Sequence, residues 1–351
     1  MVRRRFTGIR ILAAVLVGGP AASAVLVGQA RTTAPTVQPG RWDAPRTPWG
    51  HPDLQGIWTS TGMAGVPFER PKELAGRALF TEEEFAKRRA DAERIIGRDE
   101  KQDREGQVGN EQGPTHWYEN WSGRQSRRTS LIVDPPDGQF PAFTAAGEKI
   151  KVTLGTFAPG PWNGPEDFNS WDRCITRGLP SAMVPTAYNN AFQIFQTRNE
   201  VIVLHELLHV VRVIPTDGRP HLGPSIRQWE GDPRGHWEGN TLVVDVTNFS
   251  DKTKGTLPPN GFAEGFLSGG GLFTGTGAMM HLVERWTPTA PDTLQYEATV
   301  DDRAVYAKPW TIALDLRRDS KYGMYEYACH EGNRAIENTL KGSRAEEKQG
   351  R

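Results

Sequence analysis

Glu200-Val201-Ile202-Val203-Leu204-His205-Glu206-Leu207-Leu208-His209-Val210-Val211-Arg212-Val213-Ile214 is the stretch on which the fold turns. It contains His-Glu-x-x-His. On a helix that spacing puts two imidazoles on one face, able to share a zinc, with the Glu as general base. The composition points away from a helix. Seven of the fourteen residues from Val201 to Ile214 are Val or Ile, which lose side-chain freedom in helices and suit strands. The available N-cap, Asn199, serves equally as a turn residue. Read as one continuous strand, the stretch keeps His205 and His209 on one face, about 13 Å apart at roughly 3.3 Å per residue. A metal bound to nitrogen at about 2.1 Å cannot bridge that gap. Glu206 would then point to the opposite face. Arg212 and Pro215 stand where the longer zinc-peptidase pattern has Gly and a third His. The expectation is a metal-free strand whose histidines and Glu206 line a cavity or bond locally. The alternative is a zinc held by His205 and His209, with Glu230 or Glu238 as a distant third ligand.

Outward from this stretch the punctuation is that of short strands and tight turns. Ser130 to Asp134 is a β-branched run closed by Pro135-Pro136-Asp137-Gly138. Ala191 to Thr197 precedes the turn at Arg198-Asn199. Leu242 to Phe249 follows Glu238-Gly239-Asn240, and His281–Thr287, Thr293–Asp301, Trp310–Leu316 and Met324–Cys329 close the chain. One helix is marked. Thr81 with Glu84 three residues on forms a capping box, and helix formers run to Ile96, with Gly97 as the residue after the C-cap. Residues 98–127 and 255–277 read as loops. In Leu242 to Phe249, Val243, Asp245, Thr247 and Phe249 share one face and Leu242, Val244, Val246 and Asn248 the other. Polar residues on both faces suit a barrel with a partly polar interior. The fold class is mainly β: an antiparallel meander closing into a lipocalin-like barrel, or a two-sheet sandwich, with long loops and one surface helix.

The N-terminus predicts export. Arg3, Arg4, Arg5 and Arg10 precede the apolar run Ile11–Gly18, and Ala24 and Ala30 each end a plausible cleavage site. Arg3-Arg4-Arg5-Phe6 fits a twin-arginine signal and an ordinary Sec signal serves equally. The predicted layout is a signal peptide over 1–30, a flexible leader over 31–50, one β-rich domain over 51–342 and a polar tail over 343–351. The mature protein is expected in the periplasm or secreted, with no stable membrane insertion once the signal is cleaved. In such an oxidising compartment Cys174 and Cys329 are a disulfide candidate. Lys+Arg and Asp+Glu each number 42 in 351 residues, so the net charge is zero. That offers none of the basic stripe that nucleic acid requires.

A second constellation is denser. His221, Arg227, Trp229, Asp232, Arg234, His236, Glu238 and Asp245 crowd one stretch, followed by His281, Glu284, Glu326 and His330. Such sets supply general acids, bases and anion clamps. Glu206, His209 and His236 are the candidate catalytic residues. His221, Arg227, Trp229, Glu284, Glu326 and His330 are the candidate ligand-binding residues.

Several blocks resemble a family of uncharacterised exported bacterial proteins. They are Thr47-Pro48-Trp49-Gly50 with Pro52–Trp58, Ser130–Gly138, Arg173-Cys174 with Arg177–Pro180, Pro185–Asn190, Asp217–Leu222, Ile226–Phe249 and Tyr325–Asn333. The resemblance covers nearly the whole mature chain and implies export and a site near the His- and Trp-rich blocks, without supplying a reaction. Gly56-Ile57-Trp58 is also similar to the Gly-x-Trp start of lipocalin-type barrels. Three functions stay open. One is an exported barrel that binds a small organic molecule and acts on it as a metal-free lyase, hydratase or hydrolase. The second is a zinc-dependent hydrolase, and the third a non-catalytic envelope protein.

Overall fold

The computed structural model describes residues 42–105, 126–150, 161–186, 188–253 and 277–350. The predicted signal sequence, most of the predicted leader, and the greater part of the predicted loops over 98–127 and 255–277 lie outside the described residues. Ten strands run in chain order: β1 Gly56–Thr59, β2 Ile132–Asp134, β3 Ala191–Gln196, β4 Glu200–His205, β5 Val211–Pro215, β6 Asp232–Glu238, β7 Thr241–Thr247, β8 His281–Ala290, β9 Thr293–Asp301 and β10 Trp310–Arg318. The helices are α1 Glu82–Arg104, α2 Ala145–Ile150 and α3 Ala335–Lys348. No described helix is long and apolar enough to cross a membrane.

All the pairings are antiparallel and belong to a single sheet, ordered β5-β4-β3-β1-β10-β9-β8-β7-β6, with β2 as a side strand on β10. The sheet curls until its ends, β5 and β6, lie together, so it is nearly closed into a barrel. Gly235 explains how the seam gets so tight. A Cβ there would stand 2.9 Å from Thr216 Cγ2 and 3.0 Å from Ile214 Cγ2, closer than side chains tolerate. Gly56 opens β1 at φ +130, and a Cβ there would meet Arg318 Nη1 at 2.7 Å. That space lets Arg318 donate to Gln55 O at 2.8 Å and lie over the Trp58 ring.

Alternation sorts the residues as a closed sheet requires. Strands β8 and β9 alternate half-buried and buried along their length. The inward set, including Trp58, Phe192, Leu242, Val244, Trp286, Tyr296, Trp310 and Leu314, is at most 1% exposed and forms one cluster. The interior is therefore filled by side chains, where the sequence had suggested a cavity. At about 3–5 kcal/mol for a buried Trp or Phe cut to Ala, this aromatic packing is a large part of what holds the barrel. The two predicted faces of β7 are as read, up to one break. Asn248 takes φ 57, which turns Phe249 into the core.

Five further expectations need correction. Val201–Ile214 is two strands joined by a sharp turn. α1 begins on its capping box, with Thr81 N donating to Glu84 Oε2 at 2.9 Å and Glu84 N to Thr81 Oγ1 at 3.2 Å, but continues through Gly97 to Arg104. Met324–Cys329 forms no strand: residues 319–334 are irregular. α3 takes in the first part of the predicted tail, and β6 is a strand where the sequence suggested only a charged cluster.

Candidate functional site

The turn between β4 and β5 builds one end of the barrel. His205 closes β4, its N–H donating to Val210 O at 2.9 Å. Glu206 is helical in conformation, and Leu208 and His209 follow with φ of 63 and 42. Two successive non-glycine residues in left-handed conformation are strained, at roughly 1–3 kcal/mol each, so something outside the turn must hold it. Glu206 does so. It is 2% exposed and accepts from Tyr322 OH at 3.0 and 2.9 Å and from Tyr325 N at 3.1 Å. His209 is exposed, with Nδ1 3.2 Å from Tyr327 O. The turn thus grips the irregular segment 319–334, which Cys329 ties to Cys174 through a disulfide.

This geometry separates the two histidines of the His-Glu-x-x-His motif. His205 is 4% exposed and His209 lies at the surface. They share neither a helix face nor a strand face. Among the described residues, no group of three or more His, Cys, Asp and Glu is arranged to hold a metal ion.

His205 faces a small cleft lined also by Thr176, Arg177, Ala182, Asn189, Asn190, Ala191, Leu207 and Val210. Its Nε2 is buried and has no hydrogen-bond partner among the described residues. Burial, then the charges of Arg212 and Arg177, hold the imidazole down to a pKa of about 3, so it is neutral at pH 7. Arg177 donates through Nη1 to Val184 O at 2.9 Å and lies over the Trp171 ring. Burial draws its pKa down to about 9, opposed by Tyr188 and Tyr327, which leaves it a cation at neutral pH.

Behind the cleft, inside the barrel, lies an ion pair. Arg212 on β5 and Glu284 on β8 are 1% and 0% exposed at the side chain. They meet through two bonds of 3.1 and 2.5 Å, and Tyr296 OH donates to Glu284 at 2.8 Å. Burial pulls the Arg212 pKa down, but Glu284 outweighs it and the net direction is upward. β5 therefore reverses the simple apolar rule. Val211 and Val213 face outward at 55% and 45% exposure, and the arginine points in.

The second constellation divides. Glu284 belongs to the interior. His221, Asp232, Asp245 and His281 form a chain on the outer face of β6–β8. His221 Nδ1 meets Asp232 at 3.1 Å and its Nε2 meets Asp245 at 2.9 Å, while His281 Nε2 meets Asp245 at 2.7 Å. Asp232 also accepts from Leu222 N and Arg234. His236 is exposed beside Glu238 at 3.2 Å. Arg227 caps the carbonyls of Phe249 and Ala278. Trp229 is half-buried in the turn before β6, and Glu326 and His330 are exposed on 319–334. Among the described residues these side chains are thus distributed over the interior, the outer face of β6–β8 and the 319–334 segment. Thr176, Arg177, Asn189, Asn190, Arg212 and Tyr296, which sequence reasoning left without a role, stand at the barrel end instead. Arg177 and Asn189-Asn190 lay in the blocks that carry the family resemblance, which was the available signal.

Comparison with protein-family models, curated proteins and solved structures finds no match to this chain.

Proposed function

We propose that the protein is exported and binds a small organic molecule through an anionic or carbonyl oxygen in the Arg177–His205 cleft, and that His205 moves a proton there without a metal. The observation that carries this reading is His205 itself: a buried neutral imidazole whose Nε2 is unpartnered among the described residues and whose ring lines a cleft with a guanidinium. A buried nitrogen left without a bond costs about 1–3 kcal/mol, which a ligand donor or acceptor recovers. Arg177 supplies the charge-assisted bonds that select an anion. The cleft has room for about one water-sized group. That suits the oxygen-bearing end of a ligand, with the remainder lying towards solvent. The N-terminal pattern and the family resemblance support a periplasmic or secreted location.

Acetate is the simplest probe of such a site. Its addition should raise the melting temperature of the mature protein, increasingly with the logarithm of concentration. The shift should vanish in Arg177→Gln and shrink in His205→Gln, each compared with its own baseline. A wild-type melting temperature unmoved by acetate, or an Arg177→Gln variant that responds like wild type, sinks the reading.

A further inference from the structure

The wall of the cleft comes from three separate pieces of chain, 176–182, 189–191 and 205–210. Each piece is fastened to the segment 319–334 by a residue standing in it or just before it. Cys174, two residues before Thr176, carries the disulfide to Cys329. Tyr188, next to Asn189, stacks its ring on Tyr327 with the centroids 6.2 Å apart. Glu206 accepts from Tyr322 OH and Tyr325 N, and His209 meets Tyr327 O. Tyr188 and Tyr327 also stand within electrostatic reach of the Arg177 guanidinium. The segment 319–334 has no regular secondary structure, so its shape depends on such contacts. It is a strap across three walls that no strand pairing joins to it.

Two features make this fastening reversible. Cys174 and Cys329 are half-buried, with Ala328 and His330 exposed on either side of Cys329, so a thiolate can reach the disulfide. The turn beneath the strap is strained, with Leu208 and His209 both left-handed. It relaxes once Glu206 and His209 lose their hold on the strap. The barrel strands pair without help from either disulfide-bonded segment, so opening the strap leaves them intact.

We infer that the Cys174–Cys329 disulfide is a redox clasp on this strap, which assembles the cleft when oxidised and lets it open when a dithiol reduces it. The inference rests on the cleft reading above and adds its regulation. A thiolate of the dithiol attacks one sulfur of the disulfide, the S–S bond breaks, and the other sulfur leaves as a thiolate. The second thiol of the dithiol then displaces the attacked cysteine and closes the dithiol to its own disulfide. Two electrons pass to the protein disulfide, and the two protons of the dithiol end on Cys174 and Cys329. The strap lifts, the Leu208–His209 turn relaxes, and the three walls part.

Hydrogen exchange and acetate titration of the mature protein, before and after dithiothreitol, test this. Gly178 N, Thr186 N and Glu206 N report on the three walls, through their bonds to Thr176 Oγ1, Asn190 Oδ1 and Ala191 O. Reduction should speed exchange at all three while β8 and β9 stay protected. It should weaken acetate binding at least about fivefold, the lower end of ordinary couplings between sites. Reoxidation should restore both. With the disulfide intact, Tyr327→Ala should reproduce part of the loss and Tyr327→Phe little of it. Acceleration confined to 319–334, or spread through the whole barrel, overturns the clasp. So does an acetate affinity indifferent to reduction, which leaves the cleft reading standing. An oxidised protein that ignores acetate sinks the cleft reading, and the three amides then decide the strap by themselves.

Discussion

The barrel carries two polar constellations made of the same residue types, one inside its end and one on its outer face. On the outside, His221, Asp232, Asp245 and His281 pair with one another, and no atom of the four is both buried and unpartnered. On the inside, Arg212, Glu284 and Tyr296 bond to one another, but Arg212 Nε, His205 Nε2 and Glu230 Oε2 are buried with no partner among the described residues. The outer set holds the 216–231 segment onto β6 and β7, as Leu222 N on Asp232 shows. The inner set has hydrogen-bonding capacity left over, and it lies at a cleft. Unspent capacity in a dry place, more than a density of charged residues, is what distinguishes a candidate site from scaffolding.

The sharpest way to break this comparison is to remove one partner of the inner ion pair. Arg212→Met leaves Glu284 buried without its cation and should cost about 3–5 kcal/mol by urea unfolding. Adding Glu284→Gln should recover most of that loss. A single variant as stable as wild type would mean that the inner network is not the tightly coupled unit described. Next comes the covalent tie. Cys174→Ser with Cys329→Ser should cost about 2–5 kcal/mol. It should also speed hydrogen exchange at Tyr325 N, which Glu206 holds, while leaving the amides of β8 and β9 protected. Uniform acceleration would contradict a local latch.

The third effect depends on pH. His205 is depressed to about 3 in the folded protein against an unfolded value of about 6.5. Between these the unfolded chain binds more protons, so stability is full above about pH 6.5 and falls as pH drops towards 3. The slope from this one group approaches 1.4 kcal/mol per pH unit. His205→Gln should flatten the acid limb of a stability–pH curve, and an unchanged limb would show that the ring titrates freely. The smallest effect belongs to the outer face. Asp245→Asn should cost no more than about 1 kcal/mol, because that pair is part-exposed and screened, and should leave the acetate response intact. A lost acetate response would merge the two constellations that the structure separates.

Much of the fold was legible because strand alternation and turn chemistry are local signals. The capping box at Thr81 and Glu84 and the split of β7 into two faces needed only near neighbours in sequence. The errors lie where a distant contact decides. The left-handed turn at Leu208 and His209 depends on Glu206 reaching Tyr322 and Tyr325, more than a hundred residues away, and a pattern search sees only a long Val- and Ile-rich run. Arg212 pointed the wrong way for an apolar rule because its partner, Glu284, lies on β8. The outer cluster was overvalued for the converse reason: sequence counts charges but cannot see that they have already satisfied one another.

The most direct test of the central claim is the titration of the His205 ring, followed by NMR of imidazole nitrogens with His205→Gln for assignment. The account predicts a ring that stays neutral well below the ordinary histidine value of about 6.5 and an Nε2 resonance that moves saturably with acetate. A ring that takes its proton near 6.5 and ignores acetate would contradict it.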